Sequence, residues 1–252
     1  MKKLLGILGG MGPLASAEFL KTIYEYGISD LEQRSPACIL YSDPTFPDRT
    51  QTIVNGEEAQ FTSALVNALD KLVQLGASKI VIVCITSHHL LPHLPPYLRD
   101  KILCLVGLII EEVGRAQKRH LLLCTSGARQ ARVFESHRNW HSVEKLVMLP
   151  DDEDQRAIHG IIYRMKQNRL DDAIVEALEA LRRKYRAEAL IAGCTEFHLL
   201  SKFLIKRELQ PHMITDPLLI LAQNYQGLFN SVGCGGQTWA AQSGRKCSTE
   251  TE

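Results

Sequence analysis

A chain of 252 residues that is 45% hydrophobic and 23% charged has a globular composition and enough apolar material for a sizeable core, in one large domain or two lobes. Its 29 lysines and arginines against 28 acidic residues create no net field, so neither nucleic acid nor an acidic membrane surface is an expected partner. The longest apolar stretch, about 9 residues around Ile102 to Ile110, falls well short of the roughly 20 that cross a bilayer, and seven irregularly spaced cysteines argue against a metal or disulfide framework and for a reducing cytoplasm.

Taken in chain order, Lys2 and Lys3 precede an apolar run that breaks at Gly9-Gly10-Met11-Gly12-Pro13, too soon for a signal peptide, so Leu4–Leu8 is expected to be a first strand. A helix over Leu14–Tyr26 follows, with Pro13 just inside its start. The glycines would let backbone N–H groups approach an anion at that helix N-terminus. Their spacing matches neither GxGxxG nor GxxxxGK[ST], so a small carboxylate, not a nucleotide, competes with a plain tight turn. A second strand, Ala37–Tyr41, leads into the proline-bounded loop Ser42-Asp-Pro-Thr-Phe-Pro-Asp-Arg-Thr50. Loop arginines are mostly solvated; Arg49, held among prolines at a strand end, has the chemistry to grip a carboxylate bidentately.

A helix over Glu57–Leu75 and a strand over Lys79–Val83 bring the chain to Cys84-Ile-Thr-Ser-His-His-Leu. Further strands are expected at Ile102–Val106, His120–Cys124, Glu144–Met148, Glu188–Ala192 and Met213–Thr215, and helices at Gly107–Gln117, Asp152–Asn168 and Asp171–Tyr185. Asp151, Asp152, Glu153 and Asp154 suit the positive end of a helix dipole. Lys166, by itself, reads as an exposed helical lysine. The strand at Glu188–Ala192 opens onto Gly193-Cys-Thr-Glu-Phe-His-Leu-Leu, and from Phe229 onward the composition becomes that of a flexible tail.

Strand and helix patterns alternate, and the strands are continuous apolar runs, as in parallel sheets covered by helices on both faces. The two cysteine phrases lie roughly 110 residues apart, close to the length of one small α/β lobe. The expected architecture is therefore α/β in two lobes, each with a mostly parallel sheet flanked by helices. Residues 1–100 plus 208–228 would form the N-terminal lobe, 101–207 the C-terminal lobe and 229–252 the tail.

A single cysteine at a strand end is more often core than reactive. Cys84 and Cys194, however, share a context with hydroxyl neighbours Thr86 and Thr195, and a helix N-terminus at each would lower the thiol pKa. Two thiols around one substrate can remove a proton from one face of a carbon and return one to the other. His88, His89 and His198 follow the cysteines and Glu196 lies two residues after Cys194, so a Cys–His hydrolase is a competing arrangement, although its second matched cysteine would be surplus. Cys38, Cys104 and Cys124 read as core, Cys234 and Cys247 as tail.

The ordered set Gly6-Ile-Leu-Gly-Gly-Met-Gly-Pro, Pro47-Asp-Arg-Thr50, Cys84-Ile-Thr86, Thr125-Ser-Gly127, Lys166, Gly193-Cys-Thr-Glu196 and Thr215-Asp-Pro217 resembles the aspartate/glutamate racemase family over most of the chain. The GGMGP and PDRT motifs together are most similar to its aspartate racemase branch, including the racemases of cyanobacterial peptide biosynthesis. The resemblance implies two pseudosymmetric lobes with the active site in the cleft between them, a homodimer, and interconversion of L- and D-aspartate without a cofactor or metal. It implies Cys84 and Cys194 as the acid/base pair, with Arg49 and Lys166 on the substrate carboxylates. Met11, Thr86, Thr125 and Thr195 would complete the anion site, and Glu196 would support the second thiol.

Consistent with that route, no lysine sits in a pattern for a pyridoxal Schiff base. One departure is Ile85, where the family commonly has an asparagine whose amide would reach substrate polar groups; Ala128 and Phe134 also stand where polar residues are frequent. Glutamate, a β-substituted aspartate, a diacid decarboxylase or isomerase reaction, and a non-catalytic amino-acid or diacid sensor therefore stay open as alternatives. A Cys84–Cys194 redox pair is disfavoured because neither has a CxxC partner.

Overall fold

The computed structural model describes residues 3–27, 30–209 and 213–230. Among these described residues, seven strands form two all-parallel sheets. In the first, β2 (Ala37–Ser42), β1 (Leu4–Gly9) and β3 (Lys79–Ile82) lie in the order β2-β1-β3; in the second, β5 (Val147–Met148), β4 (His120–Leu123), β6 (Ala189–Ala192) and β7 (Ile214–Thr215) lie in the order β5-β4-β6-β7. The first three strands of each half thus share one 2-1-3 topology, the architectural basis of pseudosymmetry.

Side chains of successive strand residues point to opposite faces, and the apolar runs feed two cores at once. Leu5 and Ile7 of β1, Val81 of β3, Leu122 of β4 and Ile191 of β6 meet in one central cluster. The alternate residues face outward: Leu8, Ile80 and Ile82 pack under α3 (Glu58–Gln74), and Leu121, Leu123, Leu190 and Ala192 pack under α7 (Asp152–Lys166), α8 (Asp172–Lys184) and α9 (Phe197–Lys206). The helix α1 (Pro13–Tyr26) contributes Ala15, Phe19 and Ile23 to the central cluster. Each such fully buried aliphatic or aromatic side chain contributes about 1.5–3 kcal/mol relative to exposure, so the shared core fixes one sheet against the other.

Several elements differ from the sequence expectation. Ile102–Val106 is not a strand: Ile102 makes one isolated bridge to Ile80, and the helix α5 (Leu105–Ala116) already begins at Leu105, with the Cys104 Sγ accepting the Gly107 N–H at 3.4 Å. A continuous apolar run is compatible with a buried strand or a buried helix, and periodicity cannot separate them. Residues Glu144–Leu146 form a 3₁₀ turn, which leaves only Val147–Met148 as strand. Arg49 and Thr50, the end of the expected loop Ser42–Thr50, open the helix α2 (Arg49–Asn55).

The remaining short helices are α4 (Pro96–Arg99), α6 (Ser126–Gln130) and α10 (Pro217–Gln223). The segment 208–228, assigned from sequence to the N-terminal lobe, sends β7 into the second sheet beside β6, while α10 packs against α1 and α5. The expected tail 229–252 lies outside the described residues from 231 onward; its first residue, Phe229, packs on the central core and stacks edge-on with Tyr225. Among the described residues no helix is long and apolar enough to cross a membrane.

Candidate active site

Cys84 lies two residues beyond the end of β3 and Cys194 two beyond the end of β6. These are corresponding strands of the two sheets, so the repeated topology delivers the two thiols from opposite halves. Both are nearly buried, at 5% and 6% exposure, and both line one cleft. The structure brings all nine residues singled out in the sequence to that cleft: Met11, Arg49, Thr86, Thr125, Lys166, Thr195 and Glu196 line it with the two cysteines. Asp48 and Thr50 line it as well.

Arg49 is the first residue of α2, and its position is set by Asp48, the helix cap, whose Oδ1 accepts the N–H groups of Thr50 at 2.9 Å and Gln51 at 3.1 Å. The guanidinium donates to the carbonyls of Met11 at 2.8 Å and Pro47 at 2.9 Å, which ties α2 to the glycine turn. At Gly10, with φ of +92°, a Cβ would meet the Asp43 carbonyl oxygen at 2.2 Å; only glycine lets the turn pass this close to the loop after β2. Burial disfavours the Arg49 charge, but Cys84, Asp48, Glu196 and Cys194 outweigh it and raise its pKa.

Lys166 ends α7, and its Nζ sits 4.3 Å from the centroid of the Tyr163 ring, a cation–π arrangement. Tyr163 donates its hydroxyl to Asp48 Oδ2 at 2.5 Å, so one aromatic side chain of the second half contacts both the cap that places Arg49 and the ammonium of Lys166. Burial works against the Asp48 carboxylate, yet the Tyr163 hydroxyl, the Gln51 N–H and the two nearby cations hold its pKa below the usual value. Sequence reasoning passed over Asp48; an aspartate directly before Arg49-Thr50 was its available signal, as a helix cap. No local pattern marks Tyr163, because its partner lies 115 residues away.

The hydroxyls also join the halves. Thr86 and Thr125 share a hydrogen bond at 3.1 Å, Thr125 caps α6 by accepting the Ala128 N–H, and Thr195 donates to the Val83 carbonyl at 3.2 Å. Ile85 turns away from the cleft into the central core, as do Ala128 and Phe134, so the departure at position 85 places no apolar side chain in the cleft lining. Among the described residues none of the three histidines that follow the cysteines hydrogen-bonds a thiol. The His88 ring accepts the Leu105 N–H at 3.2 Å and bonds the Cys84 carbonyl at 3.0 Å, His89 bonds the Thr86 carbonyl, and His198 lies between Asp216 and Thr22. Burial lowers the pKa of His88, which suits this neutral, structural role and removes the Cys–His hydrolase arrangement.

The Cys194 Sγ donates to Glu196 Oε2 at 2.8 Å. Burial, reinforced by the Glu196 carboxylate, raises the pKa of this thiol well above its ordinary value despite the neighbouring Lys166. The sequence expectation of a thiol activated by a helix N-terminus is thus reversed at Cys194: α9 starts at Phe197 and its cap residue makes no side-chain cap bond. Since the thiolate is the nucleophile, alkylation of Cys194 by iodoacetamide is expected to be slow at pH 7 and still climbing above pH ~9, where an ordinary cysteine has reached its plateau. Peptide mass mapping of a pH series checks this, and a plateau below pH ~8 would contradict the assignment. Cys124, pushed up to about 12 by burial, serves as the inert internal reference. Among the described residues no cluster of His, Cys, Asp and Glu has the arrangement of a metal site.

Residues 8–224 match the family described as Asp/Glu/hydantoin racemase. The broad-specificity amino-acid racemase RacX of Bacillus subtilis is 23% identical over 203 residues, covering 77% of this chain and 86% of RacX. Among solved structures, the aspartate racemase of Picrophilus torridus superposes with a TM-score of 0.72 at 22% identity, over 89% of this chain and 94% of that one. An aspartate racemase homologue from Pyrococcus horikoshii does so with a TM-score of 0.66 at 25% identity, over 92% and 100%.

Proposed function

We propose, from the premise that this chain belongs to the Asp/Glu/hydantoin racemase family and is a racemase independent of pyridoxal phosphate, that it interconverts L- and D-aspartate with Cys84 and Cys194 as the two bases. The observation that carries this reading is the delivery of the two cysteines from corresponding strands of two like sheets to one cleft. One thiolate removes the α-proton while the opposing thiol supplies a proton to the other face; the first ends as thiol and the second as thiolate, ready for the reverse direction.

Without a cofactor, the developing carbanion depends on its own carboxylate and on fixed charges around it. Arg49 and Lys166 supply two cations for the two carboxylates of an amino diacid, already positioned by Asp48 and Tyr163 before substrate arrives. The Thr86–Thr125 pair, in which one hydroxyl donates to the other, leaves one O–H for substrate, Thr195 lines the wall with its hydroxyl turned to the Val83 carbonyl, and Met11 contributes by holding Arg49 through its carbonyl. A wider substrate range is the second reading, favoured by the likeness to a racemase named for broad specificity. The irregular spacing of the seven cysteines supports a reducing compartment, and the homodimer implied by the motif resemblance is tested by the mass of the protein in solution.

Proton NMR of L-aspartate and, separately, L-glutamate in D₂O with reduced enzyme tests the proposal. Loss of the α-proton signal with appearance of the D-enantiomer on a chiral column is the expected result for aspartate. Equal turnover of both amino acids would replace the aspartate reading with the broader one, and no exchange with either would move it to a binding protein.

A further inference from the structure

The cleft holds two cations, Arg49 and Lys166, and two carboxylates, Asp48 and Glu196. Both oxygens of Asp48 are used, Oδ1 by the Thr50 and Gln51 N–H groups and Oδ2 by the Tyr163 hydroxyl. Glu196 is different. It is 1% exposed; its Oε2 accepts the Cys194 thiol, while its Oε1 is buried and has no hydrogen-bond partner among the described residues. An unpartnered carboxylate oxygen out of water is costly, and such a cost at a cleft wall points to a partner that enters with the ligand. The glycine turn leaves room for this oxygen. A Cβ on Gly12 would stand 2.4 Å from Glu196 Oε1, so any residue but glycine would displace that oxygen.

A positively charged donor is what this oxygen lacks, and an α-amino acid brings one. We propose that Glu196 Oε1 receives the α-ammonium group of the substrate, so that this residue binds substrate directly and selects amino diacids over plain diacids. The same carboxylate then holds the ammonium nitrogen through one oxygen and the Cys194 sulfur through the other, which sets the α-carbon, one bond from that nitrogen, beside the thiol. The inference rests on the proposed function, since it assigns the ammonium subsite of the same reaction.

The test is calorimetric titration of wild type and Glu196→Gln with two ligand pairs that differ only in the ammonium, aspartate with succinate and glutamate with glutarate. Glutamine keeps the size of the side chain and an oxygen that can accept the Cys194 thiol but carries no charge; thermal unfolding of the variant confirms that it is folded. Loss of one partner of a desolvated charge pair predicts that the variant binds the amino diacid at least about tenfold more weakly, while the plain diacid binds as well as before or better, because a buried like charge is gone. Equal changes for both members of a pair would overturn the inference and leave Glu196 as a positioning residue for Cys194 or a partner of Lys166. If wild type racemises aspartate and the ratio does not move, only this inference falls; if wild type binds neither pair, the functional reading falls and the inference with it.

Discussion

Replacing either Cys84 or Cys194 by alanine is expected to lower aspartate racemisation by about 10³-fold or more, near the upper range for loss of a general acid or base. In the proposed mechanism each thiol serves one face of the substrate, and no other group can take over: the imidazoles are engaged with backbone or buried groups, Asp48 with its helix cap and Tyr163, and Glu196 with the Cys194 Sγ through one oxygen and, as inferred above, the substrate ammonium through the other. The single variants should retain a diagnostic residue of activity. With one base left, a variant can still exchange the α-proton of the enantiomer that presents its hydrogen to that base, so in D₂O one variant should exchange only L-aspartate and the other only D-aspartate, without inversion. Normal racemisation by both variants would falsify the two-thiol mechanism. Unchanged unfolding midpoints would exclude misfolding as the cause of the loss.

The largest effect on stability is expected away from the cleft, at Asp216. This side chain is 2% exposed. Its Oδ2 bonds His198 Nδ1 at 2.7 Å, its Oδ1 accepts the N–H groups of Leu218 at 2.9 Å and Leu219 at 3.3 Å to cap α10, and the far side of the His198 ring bonds Thr22 on α1 at 2.9 Å. One carboxylate thereby joins α1, α9 and α10 where the two sheets meet. Asp216→Ala would leave His198 buried with half its partners and α10 without its cap, at a cost of about 3–5 kcal/mol, a large share of the ~5–15 kcal/mol that holds a domain folded. Urea unfolding of wild type and variant measures it, and a difference below ~1 kcal/mol, no more than an exposed pair contributes, would mean that the pair contributes as a surface contact does.

Burial raises the Asp216 pKa, but the paired His198 and the hydrogen bonds to the carboxylate outweigh it and leave the folded value below the ordinary one. The unfolded state therefore takes up its proton first on acidification. The contribution is complete above the ordinary aspartate pKa of ~3.9 and declines as pH falls through the lower folded value, so the gap between wild type and Asp216→Ala should narrow in acid.

Much of the site was legible before any coordinates because its signals are local. Apolar runs such as Leu4–Leu8 and Lys79–Val83 alternate with helical patterns, and that alternation is the direct consequence of parallel strands covered on both faces. The matched phrases at Cys84 and Cys194 record the same strand end in two sheets, and residues at strand ends gather at one edge of an α/β layer. That is why Arg49, Thr86, Thr195 and Glu196, named from their places after strands, line one cleft; Met11, Thr125 and Lys166 were named only through the motif resemblance, and Lys166 reaches the cleft from the end of α7. What the sequence left undecided depends on neighbours distant in the chain. Ile102–Val106 is apolar enough for a strand, and only the packing of Leu105–Ala116 into the central core makes its last two residues the start of a helix. The side chain at Ile85 faces core and not cleft, a matter of which side of the chain the two sheets bury. The Cys194 thiol is held protonated, against the local signal of a following helix, because desolvation and a carboxylate at 2.8 Å outweigh a helix end; and Asp48 and Tyr163, 115 residues apart, form one unit only after folding. Periodicity and turn chemistry are properties of adjacent residues and can be read along the chain, whereas desolvation, charge pairing and the direction a side chain faces are set by groups that only the tertiary structure brings together.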